Sequence, residues 1–262
     1  MLTLPVSDIK DYVKARLDEL SNNEDAGLVT GDQAVEDLDK IIENVIVPSV
    51  RKIHLEAPNI LLTGGVAFPS SSTNQASQGE NQGENDRASA EEGDDASTTI
   101  PDTQYHKIEI AVPSDFLRLV TLQMSDWSRP IQTLVGEDST EYRKQSNKYM
   151  MGTPKKPVGA LVHRNGSGVI ELFSCLSSTA TVLYAQYIPE PSITGNTPSV
   201  SVVSTLKYPC LNRITAEVLR SLSRHQEASV YDALAVEPFY IDPDYRRLNP
   251  PASERFNRTN NE

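Results

Sequence analysis

Residues 70–99 set the first limit on what this chain can fold into. No apolar side chain larger than alanine occurs there; the stretch is serine, threonine, asparagine, glutamine, glycine and acid. Such a segment buries too little apolar surface to offset the entropy of ordering it. Any core must come from the blocks on either side. The stretch reads either as a solvated loop or as an insert held by neighbouring chains. It also concentrates charge. Between Glu80 and Asp95 seven acids face one base, Arg87, a local charge of −6 that is half of the chain's −12. The remainder is only mildly acidic, which disfavours a nucleic-acid grip by a basic patch.

Before the insert, apolar spacing predicts two helices. The first starts with Ser7 as N-cap and places Ile9, Tyr12, Val13, Leu17 and Leu20 on one face. Residues 22–27 end it. The second begins near Thr30 or Asp32 and carries Val35, Leu38, Ile41, Ile42, Val45 and Ile46, with an acidic outer face of Glu36, Asp37, Asp39 and Glu43. Pro48 predicts a kink or restart at Val47. Val50, Ile53 and Leu55 continue the apolar face to Pro58. The short link predicts an αα-hairpin.

After the insert, Tyr105–Val112 alternates apolar and polar residues, the strand period. It feeds Val112–Pro130, which holds the single tryptophan and around which the rest of the chain is arranged. Arg118–Met124 reads as a second strand. Ser139 or Asp138 caps a short helix with Glu141 in its first turn and Tyr142 and Tyr149 exposed or half-buried. Ala160–Arg164 and Val169–Phe173 flank Asn165-Gly166-Ser167-Gly168, a hairpin by turn chemistry. With residues 180–187 they predict a three-stranded antiparallel meander. One long helix is expected from about Pro209 to Leu234, then an extended tail rich in proline and aromatics, frayed or docked on another subunit. The expected fold class is α+β: a helical bundle, from the N-terminal hairpin and the C-terminal helix, with a small antiparallel β-sheet. The expected boundaries are 1–69, 70–99, 100–204 and 205–262, forming a single domain overall.

Chemistry-bearing motifs are sparse. With 36 Asp and Glu, adjacent carboxylates are expected by chance. His54, His106, His163 and His225 are spread out, without metal-ligand spacing. Asn165–Gly168 lacks the lysine and following helix of a phosphate loop, and no serine sits in a G-x-S-x-G elbow. Cys175 and Cys210 read as buried free thiols. No catalytic, cofactor-binding or metal-ligating residue is assigned. No basic n-region precedes an apolar core at the N-terminus, and no apolar run approaches ~18 residues. The expectation is a soluble protein made in a cytoplasm, without membrane contact. Trp127 beside Arg129 reads either as a cap on a sheet edge or as a half-exposed interface anchor, since both types are enriched at hot spots. Tyr142, Phe239, Tyr240, Tyr245 and Arg246 complete the candidate interface.

An ordered set of phrases carries a family likeness: Ile110-Ala-Val-Pro-Ser-Asp-Phe-Leu-Arg-Leu119, Asp126-Trp-Ser-Arg-Pro-Ile131, Glu141-Tyr-Arg-Lys-Gln145, Lys156-Pro-Val158 and Tyr187-Ile-Pro189. The set resembles the head–tail adaptor (ring, or connector) proteins of podovirus-type tailed phages, especially crAss-like phages. The likeness covers most of the chain apart from residues 70–99. It implies a structural virion protein without chemistry, made in the host bacterial cytoplasm and resident at the head–tail junction. Its implied partners are further copies in a ring, dodecameric in the family, the portal protein and other neck or tail rings. Double-stranded DNA would pass through the channel without sequence-specific binding. No cofactor is implied. An acidic surface suits that role, because anionic walls repel phosphate and let a duplex slide; residues 80–95 are expected to face the channel or a neighbouring ring. Two other classes compete: a virion-associated peptidoglycan hydrolase, which needs an acid pair in a cleft, and a non-viral binding module.

Overall fold

The apolar spacing of the first block becomes helix. A computed structural model of the chain describes residues 1–21, 32–69, 105–147, 149–164 and 166–248. The fold is mixed α+β, with six helices and three small sheets among the described residues. By contacts the chain divides into two compact units, Met1–Val66 with Asp115–Val120 and Tyr187–Glu262, and Ala67–Ser114 with Thr121–Gln186. The insert 70–99, the acidic run 80–95 within it, Asn165 and the last residues, 249–262, lie outside the described residues.

In the first unit, strand β1 (Leu2–Pro5) runs directly into helix α1 (Val6–Ser21). The expected N-cap, Ser7, is therefore already inside the helix. Strand β1 itself is not legible in the sequence, because its partner lies almost two hundred residues away: Leu2 pairs with Val202 and Leu4 with Val200 of β10 (Ser199–Val202). Helix α2 (Asp32–Glu56) continues through Pro48, without the restart that is one of the two expectations there. Pro48 and Asn44, whose carbonyl would take the missing bond, both lie on the exposed face, where water can replace it. Lys10 pairs with Glu43 at 2.7 Å and Asp39 at 3.5 Å, and Lys14 with Asp39 at 2.7 Å. Residue numbers rise on α1 as they fall on α2, so the two helices run antiparallel. Partly exposed pairs like these contribute at most about 1 kcal/mol each. Burial contributes more: Ile9 and Val13 of α1 and Ile42, Ile46, Val50 and Ile53 of α2 are all 0 % exposed, and each such side chain stabilises by about 1.5–3 kcal/mol.

The expected single C-terminal helix is two, α4 (Lys207–Ser221) and α5 (His225–Val236). The break falls at Ser223, which adopts a left-handed φ of 62°. The Arg224 N–H donates to the Leu219 carbonyl at 2.8 Å and closes the α4 terminus. Asp232 of α5 then holds α4, accepting from Arg213 at 2.7 Å and from Arg220. The expected extended tail is also wrong for residues 237–248. Glu237–Ile241 is a 3-10 turn and Pro243–Leu248 a short helix, α6. Phe239 points into the core there, against the Tyr245 ring at 5.4 Å.

The C-terminus of α2 is closed from strand β4 (Phe116–Met124). The Arg118 guanidinium donates to the carbonyls of His54 and Leu55, both at 3.0 Å, and of Ala57 at 2.6 Å, and to Asn59 Oδ1 at 2.5 Å. A cation there also meets the negative end of the helix dipole. His54 is buried beneath it and accepts the Val203 N–H at 3.4 Å. Burial, with a smaller push from Arg118, lowers the His54 pKa to about 4. An unfolded histidine titrates near 6.5, so the unfolded chain binds this proton first. The stability is complete above pH 6.5 and is lost as pH falls towards 4. Between pH 7.5 and pH 5 this group alone should cost about 2 kcal/mol. Urea midpoints at the two pH values check it, and His54→Leu should flatten that part of the difference.

In the second unit, strands β3 (His106–Ala111), β7 (Ser167–Cys175), β6 (Gly159–Arg164) and β5 (Val135–Gly136) form a sheet in the order β3-β7-β6-β5. The β6–β7 hairpin forms as its turn chemistry predicts, with Leu161 opposite Ile170 and Arg164 opposite Ser167. The meander does not. The far edge of β7 is taken by β3, and β8 (Val182–Pro189) belongs to another sheet, ordered β2-β8-β4, with β2 being Val66–Ala67. Two features turn the chain away after β7. Ser174 is left-handed at φ 75°, and the Asp126 carboxylate takes the N–H groups of Leu176 and, at 3.3 Å, Ser177. The third sheet joins β1, β10 and β9 (Ile193–Thr194). The single antiparallel sheet expected is thus three, one holding a parallel pair, β5 with β6. Among the described residues no helix is long and apolar enough to cross a membrane.

Candidate functional site

Glu171 stands in the middle of Val169–Phe173, an apolar strand run, and its side chain is 1 % exposed. A carboxylate held there needs partners, because desolvating an unpaired charge costs several kcal/mol. Three donors supply them. Lys107 donates at 3.2 Å and Arg164 donates to the same oxygen, Oε1; the Tyr142 hydroxyl donates to Oε2 at 2.9 Å. Register explains the assembly. Glu109 of β3 and Ala160 of β6 lie opposite Glu171 on either side. The β3–β7 register slips between His106 and Ile108, and Lys107, inside the slip, bridges Glu171 to Glu109 at 2.9 Å. Arg164 spans the same two carboxylates and is raised above its ordinary pKa, first by the charge of Glu171.

Tyr142 arrives from helix α3 (Thr140–Lys144), which Ser139 caps by accepting the Tyr142 N–H at 3.1 Å. Burial, then its bond to Glu171, raises the Tyr142 pKa. Its ring meets Phe173 edge-on at 5.9 Å. Gln145 ends the helix with both amide atoms engaged, donating to the Glu141 carbonyl at 2.8 Å and accepting the Gly152 N–H at 2.9 Å. Beside Glu171 and Tyr142 opens a cavity of about 340 Å³ whose lining includes Tyr105, His106, Arg143, Phe173 and Ser174. Replacing Glu171 by glutamine keeps an acceptor for Tyr142 and removes the charge beneath Lys107 and Arg164. The expected cost is about 2 kcal/mol in urea unfolding, and a cycle with Tyr142→Phe should show only the difference between a charged and a neutral acceptor for that hydroxyl, below about 1 kcal/mol.

The residues expected from sequence to form an interface fall in different places. Trp127 is 4 % exposed, not half-exposed. Its N–H lies against the Cys175 thiol, whose pKa burial pushes up to about 12; its indole is core, not a surface anchor. Arg129 is exposed on the loop that follows. Tyr142 is half-buried and committed to Glu171. In the other unit Phe239 is 0 % exposed, again core. Tyr240 and Tyr245 are half-buried and meet edge-on at 5.7 Å, and Arg246 is exposed. Glu171 escapes a reading by motif, although a lone acid inside an apolar strand is a signal that partners must converge on it. Nothing in the sequence marks Ser174 as left-handed. Both cysteines are free and buried, and burial raises Cys210 as well. Among the described residues no cluster of His, Cys, Asp or Glu could hold a metal ion. No protein-family model matches this chain, and no curated protein matches it.

Proposed function

We propose that this chain is a structural ring subunit of a phage head–tail junction, working through its surfaces rather than by catalysis. The observation that carries the reading is what the resemblance-bearing residues do. Asp115 accepts the Tyr187 hydroxyl at 2.9 Å, Phe116 stacks on the Tyr187 ring at 5.8 Å, and Arg118 closes helix α2. The Val-Pro-Ser-Asp-Phe-Leu-Arg phrase and Tyr187-Ile-Pro thus form one framework joint that orders helices. That suits a family defined by architecture. In this reading α1 and α2 are a helical hairpin and form, with α4, the bundle around which copies arrange.

Two further features support it. Glu109 and Glu171, the carboxylates facing each other across β3 and β7, are bridged by Lys107 and Arg164, which suits a structural tie better than acid–base work. Helix α5 carries apolar side chains on both faces. Ala228, Tyr231 and Ala235 are buried, while Val230 is 57 % and Leu234 40 % exposed. Val230 and Leu234 stand one turn apart on its exposed side, and an apolar pair there suits a contact with the next copy, a heterologous contact that closes by rotation. The implied location is the virion, with the portal and other neck or tail rings as neighbours and duplex DNA sliding through an anionic channel. Mass photometry of the purified chain, alone and mixed with its portal protein, tests this. Large closed oligomers are expected in the mixture; a monomer or dimer under both conditions, or lysis of purified cell walls by the chain, overturns it.

A further inference from the structure

The cavity beside Glu171 has an unequal supply of hydrogen-bonding groups. Its carboxylate and amide oxygens are engaged: Glu171 takes three donors, and Gln145 Oε1 takes the Gly152 N–H. Its donors are not. Ser174 is 0 % exposed and its hydroxyl has no partner. Among the described residues the Arg143 guanidinium meets no carboxylate, and neither the Tyr105 hydroxyl nor the His106 ring has a side-chain partner. A buried hydroxyl left unpaired costs about 1–3 kcal/mol. Ser174 is also held at a left-handed φ of 75°, a conformation costly for a residue with a Cβ and one that gathers at ligand sites. The charges point the same way. Lys107 and Arg164 are tied to Glu109 and Glu171, which leaves Arg143 as the lining cation with no carboxylate of its own. Phe173, Tyr142 and Met151 supply apolar wall, and about 340 Å³ is room for a small molecule or one side chain.

We infer that this cavity binds a carboxylate carried on a flat or apolar body, its oxygens taking the free donors of Arg143, Tyr105 and Ser174. The shared chemistry has two sources, a free small acid or the terminal carboxylate of a peptide. The cavity lies in the second unit alone, and its binding does not depend on whether the chain forms rings. Ligand-observed NMR on the full chain tests it with four probes: benzoate, benzamide, acetyl-Ala-Phe with a free C-terminus, and the same dipeptide amidated. Each carboxylate should bind at least about tenfold tighter than its amide, because only the charged form satisfies several donors and a guanidinium. Arg143→Gln, an exposed change that leaves thermal unfolding unaltered, should remove about tenfold of the carboxylate affinity and none of the amide affinity; Arg143→Lys should restore part of it. Tyr105→Phe should weaken the carboxylates severalfold. Tighter binding of benzoate assigns the site to small acids, and tighter binding of the free dipeptide assigns it to a polypeptide terminus. Equal binding of acids and amides, binding indifferent to Arg143, or no binding of any probe overturns the inference.

Discussion

Phe239→Ala should lower the stability of the folded chain by about 3–5 kcal/mol. The side chain is 0 % exposed and joins one core with α1, α2, α4 and α5. Its ring also meets Tyr245 edge-on at 5.4 Å. Truncation removes its burial, leaves a cavity that rigid helices cannot fill, and strips Tyr245 of its packing partner. For a domain stable by only about 5–15 kcal/mol that is a large share. Phe239→Leu keeps most of the volume and should cost less than about 2 kcal/mol. Urea unfolding of the three proteins decides between two roles. An interface anchor would leave the subunit's own stability within about 0.5 kcal/mol and weaken only association. A core residue gives the ordering just stated, and a loss below about 1 kcal/mol for the alanine variant contradicts the packing described.

The same residue marks where sequence reading stops. Phe239 sits in Pro238-Phe-Tyr-Ile-Asp-Pro, whose prolines read as a tail. Both prolines instead stand at the starts of short helical turns, where a missing N–H costs nothing. Where the signal is local, sequence and structure agree: α1 and α2 by apolar spacing, the β6–β7 hairpin by Asn-Gly chemistry, α3 by its Ser139 cap. Where the outcome depends on distant partners they do not. Strand β1 has too few residues to show a period, and its existence is set by β10. Residues 180–187 read as strand, but only the competition for the β7 edge decides which sheet they join. Ser174 and Ser223 take left-handed angles that glycine would have announced. The pairing of Glu171 with Lys107, Arg164 and Tyr142 needs three separate elements to converge. Trp127 is ambiguous for a plainer reason: a tryptophan beside an arginine suits a surface anchor and a covered sheet edge equally, and only burial tells them apart.

Arg118→Met should cost about 3 kcal/mol at neutral pH, and its pH dependence carries more information than its size. The guanidinium satisfies four acceptors at the end of α2. Methionine keeps the apolar stem and removes every one of those bonds. Hydrogen bonds from a charged donor contribute about 1.5–3 kcal/mol each, but here one group makes four and water can reach some of the carbonyls, so the sum is far from additive. Arg118→Lys places a single point donor where a fork stood and should recover less than half of the loss. The second effect runs through His54. The Arg118 charge is the smaller of two causes holding the His54 pKa near 4, burial being the larger. Without that charge the folded pKa moves up towards the unfolded 6.5. The variant then loses less stability than the parent as pH falls from 7.5 to 5, because the proton uptake that separates folded from unfolded chain has shrunk. The penalty for Arg118→Met should therefore be larger at pH 7.5 than at pH 5, by a fraction of the His54 contribution. In the His54→Leu background the penalty should be the same at both pH values. A pH-independent penalty in the parent, or a pH-dependent one without His54, would show that the helix cap and the buried imidazole are not electrically coupled.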